Sequence, residues 1–237
     1  MEFLKQNLDL ILVPAGLFLM FTYHLYLLYR VLKHPSTTSI GYENHIWMSW
    51  VERVMGDSSY ISIAISVISN NTSSSIYLGS MCLSLCGFIG IWVGTSTSSV
   101  VNPVYILGNT SSATISLKDI SMLFAFLMGF GAFMQSVRYY VQANSLVSMS
   151  SKDLPVLYVQ RLVLRGNNFW QVGLRLLYLA MALLFWSFGP IPMFVSCLVM
   201  VIFLYFLDSN AEPLHLFLQG TNYPVKKKKV EEVAVRV

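Results

Sequence analysis

The chain has 237 residues, of which 55% are hydrophobic and 11% are charged, and its formal net charge is +4. Because soluble domains carry about 25% charged residues, this composition excludes an ordinary soluble protein. The bases cluster beside apolar stretches, which is typical of a membrane topology signal, so we expect no nucleic-acid partner. We divide the sequence into one transmembrane domain, residues 1–208, and a basic tail, residues 209–237, which we expect to be flexible and cytosolic.

Five apolar stretches define the predicted architecture. A helix rises 1.5 Å per residue, so it needs roughly 17–25 residues to cross about 30 Å of hydrocarbon. Lipid also forces each backbone group to pair within its own segment, which favours helices. The stretches that approach or exceed this length are residues 9–32, 76–94, 120–143, 172–188 and 191–207. The sequence therefore predicts an all-α, polytopic transmembrane helical bundle.

His24 is the one histidine inside a predicted span, one or two turns before Arg30. An ionisable residue at such depth is a functional candidate, because its desolvation is costly. The interpretation that we prefer is a neutral histidine hydrogen-bonded within the bundle. For that role we expect the first and third spans to be neighbours, with His24 closest to Gln135 or Tyr139.

The first connection predicts two helices. Its apolar positions recur at helical spacing and form one stripe, which is typical of an amphipathic helix in the headgroup layer. The stripe consists of Ile46, Trp47, Trp50, Val51, Val54 and Met55. Asp57 or Ser58 can cap a second helix after Gly56. We expect this helix to run towards the second span, with Asn71 near the water boundary.

Small residues in the second span predict close helix packing. Gly90 and Gly94 form a small-xxx-small pair, which lets a neighbouring backbone approach where lipid gives no hydrophobic drive. We expect Gly129 and Gly131 of the third span to be its partners. The next connection, residues 95–116, is rich in Ser, Thr, Asn and Gly and has a glycosylation sequon at Asn109, which fits an exofacial loop.

Polar and aromatic side chains gather at the end of the third span. They are Gln135, Arg138, Tyr139 and Tyr140. One interpretation is recognition of a lipid headgroup or pairing with the end of the first span, and the other is snorkelling with aromatic anchoring.

The connection after the third span predicts another interfacial helix. Asp153 before Pro155 is typical of a cap followed by a first-turn proline, and Arg161 and Arg165 share a helical face. We expect Gly166 to end this helix.

Pro190 and Pro192 decide between five crossings and four. Proline lacks a backbone donor and disfavours helix in the residue before it, so a helix should end near Phe188. With a hairpin here, thirteen of the 15 bases fall on one side, whereas a single kinked crossing leaves them almost evenly divided. We therefore prefer five crossings, with the N-terminus outside or lumenal and the C-terminus cytosolic, in the plasma membrane or an endomembrane.

Several segments resemble a family of plant membrane proteins, the domain of unknown function 599. They are residues 8–14 (LDLILVP), 23–25 (YHL), 28–30 (LYR), 34–35 (HP), 135–140 (QSVRYY) and 188–193 (FGPIPM). The resemblance covers the chain nearly up to Asp208 and implies a plant multi-pass membrane protein without an assigned activity. The sequence departs from the family pattern at Ser69, where the family has a basic residue before two asparagines, so no charge-based role carries over to that position.

The apolar spans contain few groups able to perform chemistry. All eleven carboxylates fall in connections, tails or the ends of spans, and no phosphate loop, HExxH or GxSxG motif is present. We identify no catalytic residue, cofactor or metal ligand, and an enzyme ranks third. The leading hypothesis is an interaction, scaffold or lipid-binding protein whose partners are the bilayer, anionic lipids at the basic face, and membrane proteins or further copies of the chain. The alternative is a small transporter or channel, with the broken Gly189–Pro192 region near its path.

Overall fold

The computed structural model describes residues 2–95, 111–149 and 155–209, and these ranges are almost entirely helical. Their α-helices are α1 (Glu2–Lys33), α2 (Ser39–Gly56), α3 (Ile61–Thr95), α4 (Ser112–Ser148), α5 (Val156–Trp186) and α6 (Pro190–Asp208). Short 3₁₀ turns at Pro35–Thr37 and Ser58–Tyr60 precede α2 and α3. The predicted all-α bundle is confirmed. The predictions for Asn109, Asp153 and the tail from residue 210 concern residues outside the described ranges.

Every helix except α2 is long and apolar enough to cross a membrane. Their outer faces carry large apolar side chains, such as Phe18 at 71% exposed and Phe88 at 70%. Exposing this much apolar surface to water is unfavourable, whereas exposing it to lipid is not. The described residues thus contain the five predicted spanning helices.

The α5–α6 turn is built as the Gly-Pro sequence predicts. α5 ends at Trp186, and Gly189 adopts a φ of 134°, a conformation that L side chains rarely adopt. Pro190 is the first residue of α6, where its missing N–H costs nothing. The hairpin therefore replaces the single kinked helix of the four-crossing alternative.

The helices pack in the order α3, α4, α5, α6 and α1, and α2 lies against α5. One apolar core fills the half of the bundle near the α5–α6 turn, around Phe126, Phe133 and Met193. A second core joins α2, α3, α4 and α5 at the other end, around Ile68 and Val163.

Most of the predicted stripe of α2 faces this second core, but Ile46 lies outside it and is 48% exposed. Val51 and Val54 are buried there, with Trp47, Trp50 and Met55 packed beside them. The Asp57 carboxylate accepts a hydrogen bond from the Ser59 backbone N–H at 2.9 Å, as its predicted capping role requires. The helix that follows is continuous with the second span.

Gly166 does not end a helix, contrary to our prediction, because α5 continues through it to Trp186. A Cβ at this position would lie 2.9 Å from Cε1 of the buried Tyr140 ring. The Gly166 carbonyl oxygen accepts a hydrogen bond from Ser136 Oγ at 2.8 Å. This glycine is thus needed for close contact between α4 and α5 rather than for a turn.

The predicted Gly90–Gly94 seam is wrong as well. The face of α3 that meets α4 runs through Ser75, Gly79, Cys82 and Ile89, so the two glycines fall on the exposed side. Neither they nor Gly131 would bring a Cβ within 4 Å of a neighbour, whereas one at Gly129 would lie 3.5 Å from Cys82 Sγ. Gly129 alone of the two predicted partners therefore lies at the interface in the described part of the chain.

Candidate functional site

The predicted neighbours of His24 are wrong. Its Nδ1 donates to the Met20 carbonyl oxygen at 2.7 Å, within α1 itself, and Nε2 has no hydrogen-bond partner among the described residues. α1 packs mainly against α6 and meets α4 at the end that carries Asp9, away from His24, and Gln135 is exposed. The charges of Arg175 and Asp208 act electrostatically on its ring.

A buried ion pair beside His24 joins three helices. We name Tyr23, Arg175 and Asp208 the mid-bundle cluster. Arg175 donates from both terminal nitrogens to the Asp208 carboxylate, with Nη1 at 2.7 Å from Oδ2, and the Tyr23 hydroxyl donates to the same oxygen at 2.6 Å. The side chains of Arg175 and Asp208 are 14% and 7% exposed. The cluster therefore neutralises charge inside the bundle and ties α1, α5 and α6 together.

A second polar group lies next to the α5–α6 turn. This turn-end cluster consists of Asp9, Lys118 and Trp186. The Trp186 Nε1–H donates to Asp9 Oδ1 at 2.9 Å, and Lys118 Nζ lies 4.0 Å from the same oxygen and 5.5 Å from the centre of the Trp186 ring. All three residues are buried. Their contacts join the first turns of α4, the start of α1 and the end of α5.

Three arginines meet in a groove at the opposite end of the bundle. The groove lies between α4 and α5 and encloses about 380 Å³. We name it the arginine groove, and its lining residues are Arg138, Tyr139, Gln142, Tyr158, Arg161, Leu162 and Arg165. Two of the predicted positions, Arg138 and Tyr139, thus join the two arginines that were predicted to share a face. The arrangement offers guanidinium forks and tyrosine hydroxyls to an anion.

Aromatic packing holds one of these arginines in place. The Arg165 guanidinium carbon lies 5.9 Å from the centre of the Tyr139 ring, and that ring stacks on Phe169 with centroids 5.6 Å apart. A cation over an aromatic face is attracted by the ring quadrupole. Neither salt bridge found among the described residues involves Arg138, Arg161 or Arg165. No carboxylate of the described residues therefore lies within salt-bridge distance of these three guanidinium groups.

The distance between the groove and the turn-end cluster matches a bilayer. Twenty residue steps separate Lys118 from Arg138 along α4, and 21 separate Trp186 from Arg165 along α5. At 1.5 Å per residue these correspond to about 30 Å and about 32 Å, close to the thickness of the hydrocarbon core. The two sites therefore lie where both helices would meet the two membrane boundaries.

Amide side chains fix α2 against α5 beside the second core. Asn167 donates to Asn44 at 3.3 Å, and Asn44 donates to Asn168 at the same distance. Gln171 donates to the Glu43 carboxylate at 3.0 Å. This network places the amphipathic helix on the same half of the bundle as the arginine groove.

The other predicted positions are dispersed. Arg30 donates to the Thr37 carbonyl oxygen at 2.9 Å and so pairs within its own connection. The buried amide nitrogen of Asn71 has no hydrogen-bond partner among the described residues. Tyr140 is buried against Gly166, and Pro190 and Pro192 shape the start of α6. The structure brings none of these five into the arginine groove.

Sequence reasoning missed both buried clusters, although a signal for one was present. Arg175 lies inside the apolar stretch 172–188, where an unpaired guanidinium is too costly to persist. The positive-inside count treated Arg175 as one of the thirteen loop bases. Its need for a buried carboxylate partner was therefore overlooked. Asp208 ends the next apolar stretch and was the available carboxylate. Pairing across the hairpin was therefore inferable, whereas the choice of Tyr23 as third member was not.

Comparison with known proteins gives a family but no function. The family model described as "Protein of unknown function, DUF599" matches residues 11–213. No curated protein and no solved structure matches the chain.

Proposed function

The chain belongs to the DUF599 family, and from that premise we propose that it is a multi-pass membrane protein that binds anionic lipid headgroups in its arginine groove. The observation that carries the proposal is the convergence of Arg138, Arg161 and Arg165 on one groove without a carboxylate partner among the described residues. Arginine matches phosphate through paired N–H donors, which gives it an advantage at such sites.

The position of the groove relative to the membrane supports a lipid headgroup rather than a soluble ligand. Arg138 and Arg165 lie about 30 Å along their helices from the turn-end cluster, which is the thickness of the hydrocarbon core. Arg161 is one turn further on, within the headgroup layer. Phosphates of one leaflet would therefore lie at the level of all three guanidinium groups.

We place this face on the cytosolic side. Lys118 and Arg175 are buried in ion pairs and so do not act as loop charges. Of the 13 other bases, all except Lys5 fall on the side of the groove in the five-crossing topology, as the positive-inside rule requires. Protease added to intact cells should leave the tail, with Lys226 to Lys229, uncut. Digestion of the tail by protease added outside the cell would contradict a cytosolic C-terminus.

Lipid retention tests the binding function directly. The full chain is purified in mild detergent, and its bound lipids are quantified by mass spectrometry. Wild type should retain anionic lipid, and the triple variant Arg138→Gln, Arg161→Gln, Arg165→Gln should lose most of it.

The matched control for the triple variant removes the same charge from bases elsewhere on the same face, through Arg30→Gln, Lys33→Gln and Arg53→Gln. It should retain the lipid, since these residues lie outside the groove. Equal loss from both variants would show a general charge effect and contradict a groove-specific site.

The mid-bundle cluster supports a second candidate, a small transporter. Ionisable residues within a membrane often mark the path of a solute or proton, and His24 Nε2 lacks a partner among the described residues next to the Arg175–Asp208 pair. Reconstitution in liposomes with a panel of solutes discriminates the two functions. Flux that survives the triple groove variant and is abolished by His24→Gln would favour transport.

A further inference from the structure

The arginine groove holds three positive charges, more than a phosphodiester lipid with a single negative charge can balance. A phosphodiester headgroup such as that of phosphatidylglycerol has two non-bridging phosphate oxygens and a single negative charge to share among the three guanidinium groups. A phosphate monoester carries a charge of about −1.5 to −2 at pH 7 and offers three acceptor oxygens. Three guanidinium groups around one opening fit the monoester better.

The positions of the arginines add to this preference. Arg161 and Arg165 are four residues apart on α5, a spacing at which like charges repel, and Arg138 lies opposite them on α4. A ligand with more negative charge removes more of this repulsion. Arg165 is also held over Tyr139, which is stacked on Phe169, so little side-chain entropy is lost when it binds.

The space suits a headgroup with polar substituents. A volume of about 380 Å³ lies within the range of roughly 300–1,000 Å³ for small-molecule sites. Tyr158 and Gln142 line the groove beside the arginines and offer a hydroxyl and an amide to such substituents.

Resting on the proposed function, we infer that the arginine groove selects a phosphate monoester, the group that phosphatidic acid and phosphorylated inositol lipids carry, over a phosphodiester. The three guanidinium groups bind the phosphate. Tyr139 positions Arg165 rather than contacting the ligand.

A matched pair of short-chain lipids tests this selectivity. The full chain in phosphatidylcholine nanodiscs is titrated with dioctanoyl phosphatidic acid and with dioctanoyl phosphatidylglycerol, which differ in having a monoester or a diester. At about pH 7.5 phosphatidic acid should bind at least about tenfold more tightly. Because the second phosphate pKa is about 6, this preference should shrink as the pH falls to about 5.

Conservative replacement gives a readout that misfolding does not reproduce. Arg165→Lys keeps the charge but loses the paired donors, so it should weaken phosphatidic acid more than phosphatidylglycerol. An unchanged thermal midpoint in the absence of added lipid shows that the variant is folded.

The outcomes separate selectivity from lipid binding. Equal affinities for both lipids, lost in the triple groove variant, would overturn the monoester preference and leave anionic-lipid binding intact. If neither lipid binds, both the monoester preference and anionic-lipid binding would be overturned. If soluble glycerol 3-phosphate competes for the groove as well as phosphatidic acid does, the monoester preference is supported and a lipid source is contradicted. If it does not compete, a lipid source is supported.

Discussion

Arginine has opposite surroundings in the mid-bundle cluster and in the arginine groove. Arg175, 14% exposed, is bound by both oxygens of Asp208. The groove arginines are exposed, Arg165 lies over the Tyr139 ring, and none of the three forms a salt bridge with the described residues. A buried charge must be neutralised inside the protein, whereas a charge at a boundary remains available to a ligand. Arg175 therefore stabilises the bundle, whereas the groove arginines are the residues that we propose bind a ligand.

The largest effect is expected when the buried pair is broken. Arg175→Leu leaves the Asp208 carboxylate buried, and among the described residues only the Tyr23 hydroxyl still donates a hydrogen bond to it. The variant should lower the free energy of unfolding by about 3–5 kcal/mol. Thermal and denaturant unfolding in detergent micelles measures the loss. The double variant Arg175→Leu, Asp208→Asn should recover most of it, since it removes both charges. A single variant as stable as wild type would show that the pair is dispensable.

An intermediate effect on stability is expected at Gly166, next to the groove, where α5 packs closely against the Tyr140 ring of α4. Gly166→Ala places a Cβ 2.9 Å from the Tyr140 ring, which is 2% exposed and cannot move freely. The variant should lose about 1–3 kcal/mol through overpacking. Gly131→Ala, whose Cβ meets nothing within 4 Å, is the matched control and should be neutral or slightly stabilising. Similar losses in both variants would point to helix effects rather than to the α4–α5 contact.

A small effect on stability is expected at the groove itself. Arg165→Gln removes the contact with the Tyr139 ring and should cost no more than about 1 kcal/mol, because no buried group loses its partner. The same unfolding measurement, made without anionic lipid, checks it. A loss as large as that of Arg175→Leu would mean that the groove is structural and would erase the distinction between the two regions.

The smallest effect is expected at Asp57, a fully exposed carboxylate. Its hydrogen bonds from Ser59 lower the pKa of Asp57 below the ordinary value, so the folded state binds this proton less readily than the unfolded state. The cap therefore stabilises the protein above the unfolded pKa and is lost as the pH falls through the folded pKa, roughly below pH 4. Asp57→Asn, which keeps an acceptor without titrating, should flatten the acid limb of the unfolding curve. An unchanged limb would show that the cap does not contribute.

Features set by local chemistry were predicted from the sequence. The five apolar lengths predicted the helices that are long enough to span a membrane, Gly189 and Pro190 predicted the hairpin, and the spacing from Trp47 to Met55 predicted the buried face of α2. Each follows from a property that a short segment carries by itself, such as length, periodicity or a missing N–H.

Features set by contacts between helices were predicted less well. Gly166 was assigned to a helix end because its need for close approach depends on Tyr140, which comes from α4. His24 was assigned to the wrong neighbour because equal depth along two helices does not make them adjacent. For the groove, Arg138 with Tyr139 and, separately, Arg161 with Arg165 were predicted as two groups, but only the packing of α4 on α5 brings them together.

The most direct test of the distinction is the thermal midpoint of wild type, the triple groove variant and the double variant Arg175→Leu, Asp208→Asn, each in nanodiscs with and without phosphatidic acid. A ligand that binds the folded state stabilises it, so lipid at about a hundred times its Kd should raise the wild-type midpoint by about 5–10 °C. We predict the same rise in the double variant, in which the mid-bundle pair is replaced, and no rise in the triple groove variant. An equal rise in all three proteins would contradict the assignment of the groove arginines to lipid binding.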